Sequence, residues 1–465
     1  LYLRIKNKLI NKKNKYIKFF MFYILKIKNI FFYERRNVSK QILVTGGYGY
    51  KNVGDEAQLN ATLQWLEVNF PGRRRIVLTH DRNYTYNEHS ECMVYESPRE
   101  SFFDHNDINI YSAANLPIKS IFLFNSLVIY LNSYLVRAGL PVFFINAKKA
   151  ALLEELKNTE MLFYSGGGYL TGKTLSRLWD GILFIAIAQV FKVPVILSGQ
   201  TIGIWEGRFN KYYAKWGLSK ASVITTRDPI DSINALNSIG LNGDNVFVTF
   251  DDALLCEKID NMKINEELLK IGLNNDEVEN YITMNIHYWG IEKDDCAKKL
   301  LRKKVNSVVE FIVNDKNKKV VFIAMTPTDY IAIDEYMKEY PCEEVIKYEY
   351  EYDFRYVRGI ISKSNFCITM KHHPIIFSMG EKIPVISLSN FPYYEHKNGG
   401  ALKLFGLENN NLNFSDSFDL ENFISTYENI EKNYESYVKD LDKKLKKIVN
   451  SKKKLADKCH QYMSV

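Results

Sequence analysis

Two Rossmann-like, doubly wound α/β domains facing each other across a cleft are the fold class this sequence predicts, and three observations point to it. From residue 41 onward, short β-branched runs alternate with longer amphipathic stretches, the pattern of βαβ units around a mostly parallel sheet. The alternation lapses in a polar, acidic stretch near 255–280 and then begins again. At 465 residues the chain is also too long for one small core. The expected layout is a basic segment over 1–40, one domain over 41–260, a second over 280–415 and a helical segment over 416–465.

In the first series, 41–45 reads as a strand and 55–69 as a helix, with Ala57, Leu59, Ala61, Leu63 and Leu66 among its apolar positions. Strands over 76–79, 161–164, 193–197 and 223–225 continue the sheet, with helices near 175–191, 207–219 and 229–239. The apolar stretch 121–145 is interrupted by Asn125, Ser126, Asn132, Ser133, Arg137 and Pro141, so it is expected as a buried or interfacial helix, not a span. Residues 255–280 read as a linker. The second series has strands over 281–286, 320–324, 366–369 and 384–388, and the last 45 residues read as Lys/Glu-rich helix.

Charge is unevenly placed. The chain carries a net +8, but residues 1–40 hold twelve Lys and Arg against Glu34 alone, so the rest of the chain sums to −3. A body of that charge lacks the basic footprint of a nucleic-acid-binding domain, and no nucleic-acid partner is expected. The tail also contains the apolar run 19–25, far short of the roughly 20 residues that cross a bilayer. Its expected role is attraction to an anionic membrane surface. The chain opens on Leu1, so initiation upstream or at a non-standard codon is expected. The six cysteines lie far apart with no C-x-x-C pair, which points to no structural metal site and no disulfide framework. That usage fits a reducing, cytoplasmic setting, peripheral at the inner face of the membrane.

Doubly wound sheets bind ligands outside the carboxyl ends of their strands, so each strand-end loop is a candidate site. After the first strand comes Gly46-Gly47-Tyr48-Gly49-Tyr50-Lys51-Asn52-Val53-Gly54-Asp55-Glu56. Gly47, Gly49 and Gly54 permit close backbone approach, and Asn52 can cap a helix whose N-terminal N–H groups attract an anion. Asn52 also occupies the third glycine position of a dinucleotide fingerprint, so NAD is not expected. The run Gly166-Gly167-Gly168 costs about 1 kcal/mol per residue against Ala in regular structure, which a ligand or a second backbone pressed against it explains better than packing. Gln200 lies in the strand-end stretch 198–203. Arg227 follows another strand and offers a fork to a carboxylate or phosphate, or pairs structurally with Asp228 or Asp231. In the second half, Lys371-His372-His373 opens a helix and suits an anion site with a titratable group. Adjacent His372 and His373 point apart, so metal ligation is the weaker reading.

In this order the motifs resemble the polysaccharide pyruvyl transferase family, over about 41–410. Its G-x-x-G-x-x-N-x-G-D-E pattern corresponds to 46–56, its G-G-G-x-L to 166–170, its G-Q-x-I-G to 199–203 and its R-D to Arg227-Asp228. The R-L-H motif aligns with Lys371-His372-His373, the following G-x-P-V-I with 382–386, and K-x-x-G with Lys397 to Gly400. Lys371 and His287 stand where the family carries Arg. The resemblance implies a GT-B-like fold and transfer of the enolpyruvyl unit of phosphoenolpyruvate to a sugar of a cell-surface polysaccharide or its lipid-linked precursor, with closure of a pyruvate ketal. It assigns His373 as general acid, Lys371 and Arg227 as holders of the donor anion and Asp55 as base for the acceptor hydroxyl. The glycine loops, Asn52, Gln200, His287, His372 and Lys397 are then substrate-binding, with no metal and no cofactor. The competing readings are a GT-B nucleotide-sugar glycosyltransferase and a non-catalytic component of a capsule or cell-wall assembly complex.

Overall fold

The computed structural model describes residues 40–102, 116–172, 175–278, 280–349 and 352–463; the basic segment expected over 1–40 lies, except for Lys40, outside the described residues. An eight-stranded sheet is formed by β1 (Gln41–Thr45), β2 (Arg74–Thr79), β3 (Met93–Glu96), β4 (Met161–Tyr164), β5 (Gly167–Thr171), β6 (Val195–Gly203), β7 (Val223–Thr226) and β8 (Val246–Val248). Its order is β3-β2-β1-β4-β6-β7-β8, with β5 paired to β6. A second sheet of β9 (Tyr281–Asn285), β10 (Lys319–Phe322), β11 (Val345–Lys347), β12 (Phe366–Thr369), β13 (Val385–Ser389) and β14 (Asn411–Asn413) runs β11-β10-β9-β12-β13-β14. All these pairings are parallel. The central strands are buried along their whole length, as uninterrupted apolar runs covered on both faces require. Strand order reverses between β1 and β4 and again between β9 and β12, and at each reversal the loops diverge and leave a crevice.

Three sequence expectations change. The triple-glycine stretch is no loop: Gly167–Thr171 is β5, laid along β6 from Gly167↔Gln200 to Thr171↔Gly203. The stretch 198–203 is accordingly the far half of β6, where Gly199 at φ +52 lets the strand pass the Phe250 carbonyl that a Cβ would strike. The supposed linker follows a 3-10 turn, Asp252–Leu255, and holds a helix, Asn261–Lys270, capped by Asp260 and seated through Ile264 and Leu268; Glu266 and Glu267 lie on that helix, while Glu257, Asp276 and Glu277 lie in the segments on either side.

Two helices tie the halves together. The helix Val53–Asn69 belongs to the first βα unit, yet Val53, Ala57 and Ala61 share one core with Val321, Ile375 and Ile376 of the second domain. The Val53 N–H donates to the Met325 carbonyl at 3.0 Å. At the other end, the helices Leu420–Lys432 and Tyr434–Val449 lead to Ser451–Met463, which returns to the first domain. There Leu455 and Cys459 pack with Ile42, Val44 and Leu59, and Lys452 Nζ reaches Ser198 Oγ at 2.7 Å and the Asp252 carboxylate. No helix among the described residues is long and apolar enough to cross a membrane.

Candidate active site

The crevice is built from the first helix outward. Asn52 caps it, its side-chain oxygen accepting the Gly54 N–H at 3.1 Å while its Nδ2 donates to Asp55 Oδ2 at 2.9 Å. That fixes Asp55 in the first turn, beside Gly47. Glu56 turns back to accept the Gly49 N–H at 2.8 Å; burial first, then neighbouring acids, pushes its pKa up to about 8. Gly49, at φ +81, passes so close to the Asp81 backbone that a side chain has no room. Gly54 matters for another reason. A Cβ there would overlap the imidazole of His373, which arrives from the opposite domain at the N-terminus of the helix His372–Glu381. The G-D-E motif and the Lys-His-His motif therefore meet in one contact.

The centre of the site is Asp251, fully buried beyond β8. Its carboxylate pairs with Arg227 Nη1, accepts Gln58 Nε2 at 2.9 Å on both oxygens and lies 3.2 Å from His372 Nε2. Burial works against this charge, yet Arg227, then His372 and His373, hold its pKa well below the ordinary carboxylate range. Arg227 is itself buried; Nε donates to Thr201 Oγ1 at 2.7 Å, and among the described residues Nη2 has no hydrogen-bond partner. His373 Nε2 is likewise unpartnered, 3.9 Å from Asp251 Oδ2 and so beyond hydrogen-bond reach.

Lys397, on the helix Pro392–Leu404, completes the cationic wall. Its Nζ lies 5.8 Å from the Tyr393 ring centroid, and among the described residues no carboxylate lies within ion-pair distance. The space beside Gly168 is filled by Tyr393 Oη, 2.9 Å from where a Cβ would stand, then Arg227 Nη2 at 3.5 Å and Lys397 Cε at 3.8 Å. Burial and then the Arg227 charge push the Lys397 ammonium down to about 7. Burial raises the Asp55 carboxyl above its usual range against the pull of Lys397, Arg177 and Arg227. These groups sense one another across the crevice: one carboxylate against three cations.

The remaining candidates fall into two groups. Gly47, Gly54, Gly168, Asn52, Asp55, Arg227, His372, His373 and Lys397 come together at the crevice. Gln200 instead braces the sheet, its Nε2 donating to the carbonyls of Ser165 and Ser198, and Gly166 donates its N–H to Asp252 Oδ2 at 3.1 Å. Gly167 gives way to the Tyr169 ring. Lys371 lies at the edge, bound to Asp329 Oδ1 at 2.7 Å and donating to Thr326 Oγ1 at 2.8 Å, so its charge is already compensated. His287 Nδ1 accepts the Trp289 N–H at 3.0 Å. Burial, then Lys371, keeps His287 neutral with a pKa of about 3, and burial above all does the same to His373, again to about 3. The titratable group expected at His373 is thus held as a neutral ring in this environment.

Sequence reasoning missed Asp251, Arg177, Tyr393 and Trp289. Arg177 lies over the Tyr50 ring at 5.1 Å and lines a small, partly open pocket with Gly46, Gly47, Tyr50, Tyr169 and Asp180, next to Asp55. Trp289, partly exposed, lies against Tyr393 at 5.2 Å between centroids and rims the crevice with an aromatic face. A signal for Asp251 did exist: an acid directly after the apolar run 246–250 marks a strand end facing the crevice.

Two Rossmann-like sheets facing across such a crevice define an enzyme of the GT-B architecture. Solved structures agree at the level of fold. UDP-GlcNAc 2-epimerase from Neisseria meningitidis bound to UDP-GlcNAc superposes with a TM-score of 0.52 at 16% identity, covering 90% of this chain and 100% of that one. The S. aureus MnaA–UDP co-structure gives 0.51 at 12% identity over 90% and 97% of the two chains. UDP-GlcNAc 2-epimerase from Methanocaldococcus jannaschii gives 0.50 at 12% over 83% and 92%. Comparison with curated protein sequences yields no significant match. The family profile is specific: polysaccharide pyruvyl transferase matches residues 52–390, and the chain belongs to that family of transferases.

Proposed function

We propose that the enzyme moves the enolpyruvyl unit of phosphoenolpyruvate onto a sugar of a cell-surface polysaccharide, or of its lipid-linked precursor, and closes a pyruvate ketal. The observation that carries this reading is the pair of cationic groups left for a ligand, Lys397 and Arg227 Nη2, facing Asp55 across the crevice. The donor brings a carboxylate and a phosphate to match them. Its methylene carbon takes a proton, and the oxocarbenium-like centre that results is attacked by one sugar hydroxyl. Loss of phosphate regenerates that centre and a second hydroxyl closes the ketal. One hydroxyl proton replaces the proton given to carbon and the other leaves with the phosphate.

His373 supplies the proton to carbon. Burial first, then Lys397 and Arg227, keep its ring neutral; an anion at Lys397 and the outer nitrogen of Arg227 offsets the cationic part and raises its pKa as the donor binds. Asp55, already raised, receives the hydroxyl proton. Lys371, compensated by Asp329, orients the rim of the site. The basic N-terminal segment holds the enzyme at the inner leaflet, where lipid-linked acceptors reside. The test is phosphate release from phosphoenolpyruvate against consumption of a UDP-sugar, each with a lipid-linked glycan as acceptor. Acceptor-dependent phosphate release is expected; UDP-sugar consumption in its place would overturn the donor assignment.

A further inference from the structure

The helix Leu116–Ala138 buries Phe122, Ile129 and Val136 in the core and carries a second apolar face on its solvent side. From residue 122 onward its exposed positions are Leu123, Phe124, Leu127 and Leu131, with Phe124 at 64%, Leu127 at 53% and Leu131 at 54% exposure, whereas Ser126, Asn132 and Ser133 are buried. At one residue per roughly 100° of turn, these four side chains form a single stripe. The stripe continues into the next loop, where Asn132 clamps Phe143 through two hydrogen bonds of 2.8 Å, one to each side of its backbone. Beyond it Phe144, at φ 58, is 96% exposed, a left-handed conformation uncommon for an aromatic residue.

Beside this stripe lies the helix Gly207–Leu218, joined to it through the rings of Tyr130 and Trp216 at 5.9 Å. It presents Arg208, Phe209, Lys211, Tyr212 and Lys215 to solvent. Residues 116–146 contain no acid, and 204–220 contain four Lys or Arg against Glu206 alone. The face is therefore an apolar strip bordered by cations.

We propose that this face docks the protein on an anionic bilayer, the apolar side chains entering the boundary between headgroups and acyl chains and Arg208, Lys211 and Lys215 meeting lipid phosphates. Charge complementarity selects this occupant. A second copy related by a twofold axis would set the same cations against one another. The chain's own first forty residues, with twelve cations, would be repelled by the same border. The contact is separate from any made by that basic segment, because it is apolar at its centre and survives salt.

The experiment is co-sedimentation of the full chain with phosphatidylcholine vesicles, with and without phosphatidylglycerol, at low and high salt. The triple variant Phe124→Ser/Leu127→Ser/Leu131→Ser should lower partitioning by about ten-fold or more, a deficit that persists at high salt, where attraction of the basic segment is screened. Lys211→Glu/Lys215→Glu should weaken binding only where phosphatidylglycerol is present. Phe144→Ser, at a loop tip outside the helix, should weaken binding in the same direction and serves if the triple variant misfolds. Variants that partition like the parent at both salt concentrations would overturn the proposal. So would a parent chain that binds neither vesicle, or one that forms a dimer dissociated by the triple substitution.

Discussion

The contact between Gly54 and His373 makes a sharp prediction. In Gly54→Ala the added Cβ would lie 2.5 Å from Cε1 of the ring and closer still to Nδ1 and Cγ. Ordinary carbon contacts begin near 3.5 Å, so ring and helix must part by more than about 1 Å. A misplacement of that size at a reacting group costs on the order of 10²-fold in rate, and kcat should fall by about that factor. Stability should fall as well, by at most about 3 kcal/mol: overpacking costs about 1–3 kcal/mol, while Ala regains up to about 1 kcal/mol over Gly in a helix. Steady-state phosphate release and urea unfolding measure the two effects separately. Adding His373→Ala to Gly54→Ala should recover the lost stability without recovering activity, the signature of two groups sharing one space. Parental kcat in Gly54→Ala, or a double variant no more stable than the single one, would refute the reasoning.

Lys397, pushed down to about 7 mainly by burial, is charged below that pH and neutral above it, so kcat/KM for phosphoenolpyruvate should fall as pH rises through 7. Lys397→Arg keeps the charge and should move that limb to higher pH; a profile unchanged by the substitution would assign the limb to another group. Asp251→Asn leaves the buried Arg227 uncompensated and should cost about 3–5 kcal/mol in urea unfolding, together with donor binding, whereas a variant as stable as the parent would show that the pair is not a structural unit. Lys371→Arg should keep or improve the KM for donor, because the guanidinium can hold Asp329 and still offer a second nitrogen; a large loss would mean that the ammonium itself contacts substrate.

What the sequence made legible is local. β1, β4 and β12 stand where their apolar runs placed them, because a strand covered on both faces must be apolar throughout. The missed strands β3, β8, β11 and β14 are three or four residues long and only partly buried, so their composition carries little pattern. The glycine run was legible in part: it signals a close neighbour, and the second backbone expected there is β6, with the Tyr169 ring also against Gly167 and Gly168 facing the crevice, whereas the loop expected is a strand. The position of Asp251 after a strand was legible, but its role was not, because that role lies in remote partners. Gln58 comes from the first helix, Arg227 from the end of β7 and His372 from the other domain.

Those long-range pairings decide the charge of the site in a way no single motif does. Asp251 answers one face of Arg227 and Asp329 answers Lys371, while burial keeps His287 and His373 uncharged. Against Asp55 there remain Lys397 and the outer nitrogen of Arg227, so the crevice favours an anion and the carboxyl opposite is free to titrate. On the proposed reading, an anionic donor would offset the cations that add to burial in lowering the His373 pKa, and so would raise it in the complex. On this account the protonation state of His373, read by NMR on the ring, should change when phosphoenolpyruvate is added at neutral pH and should not change in Arg227→Gln/Lys397→Gln.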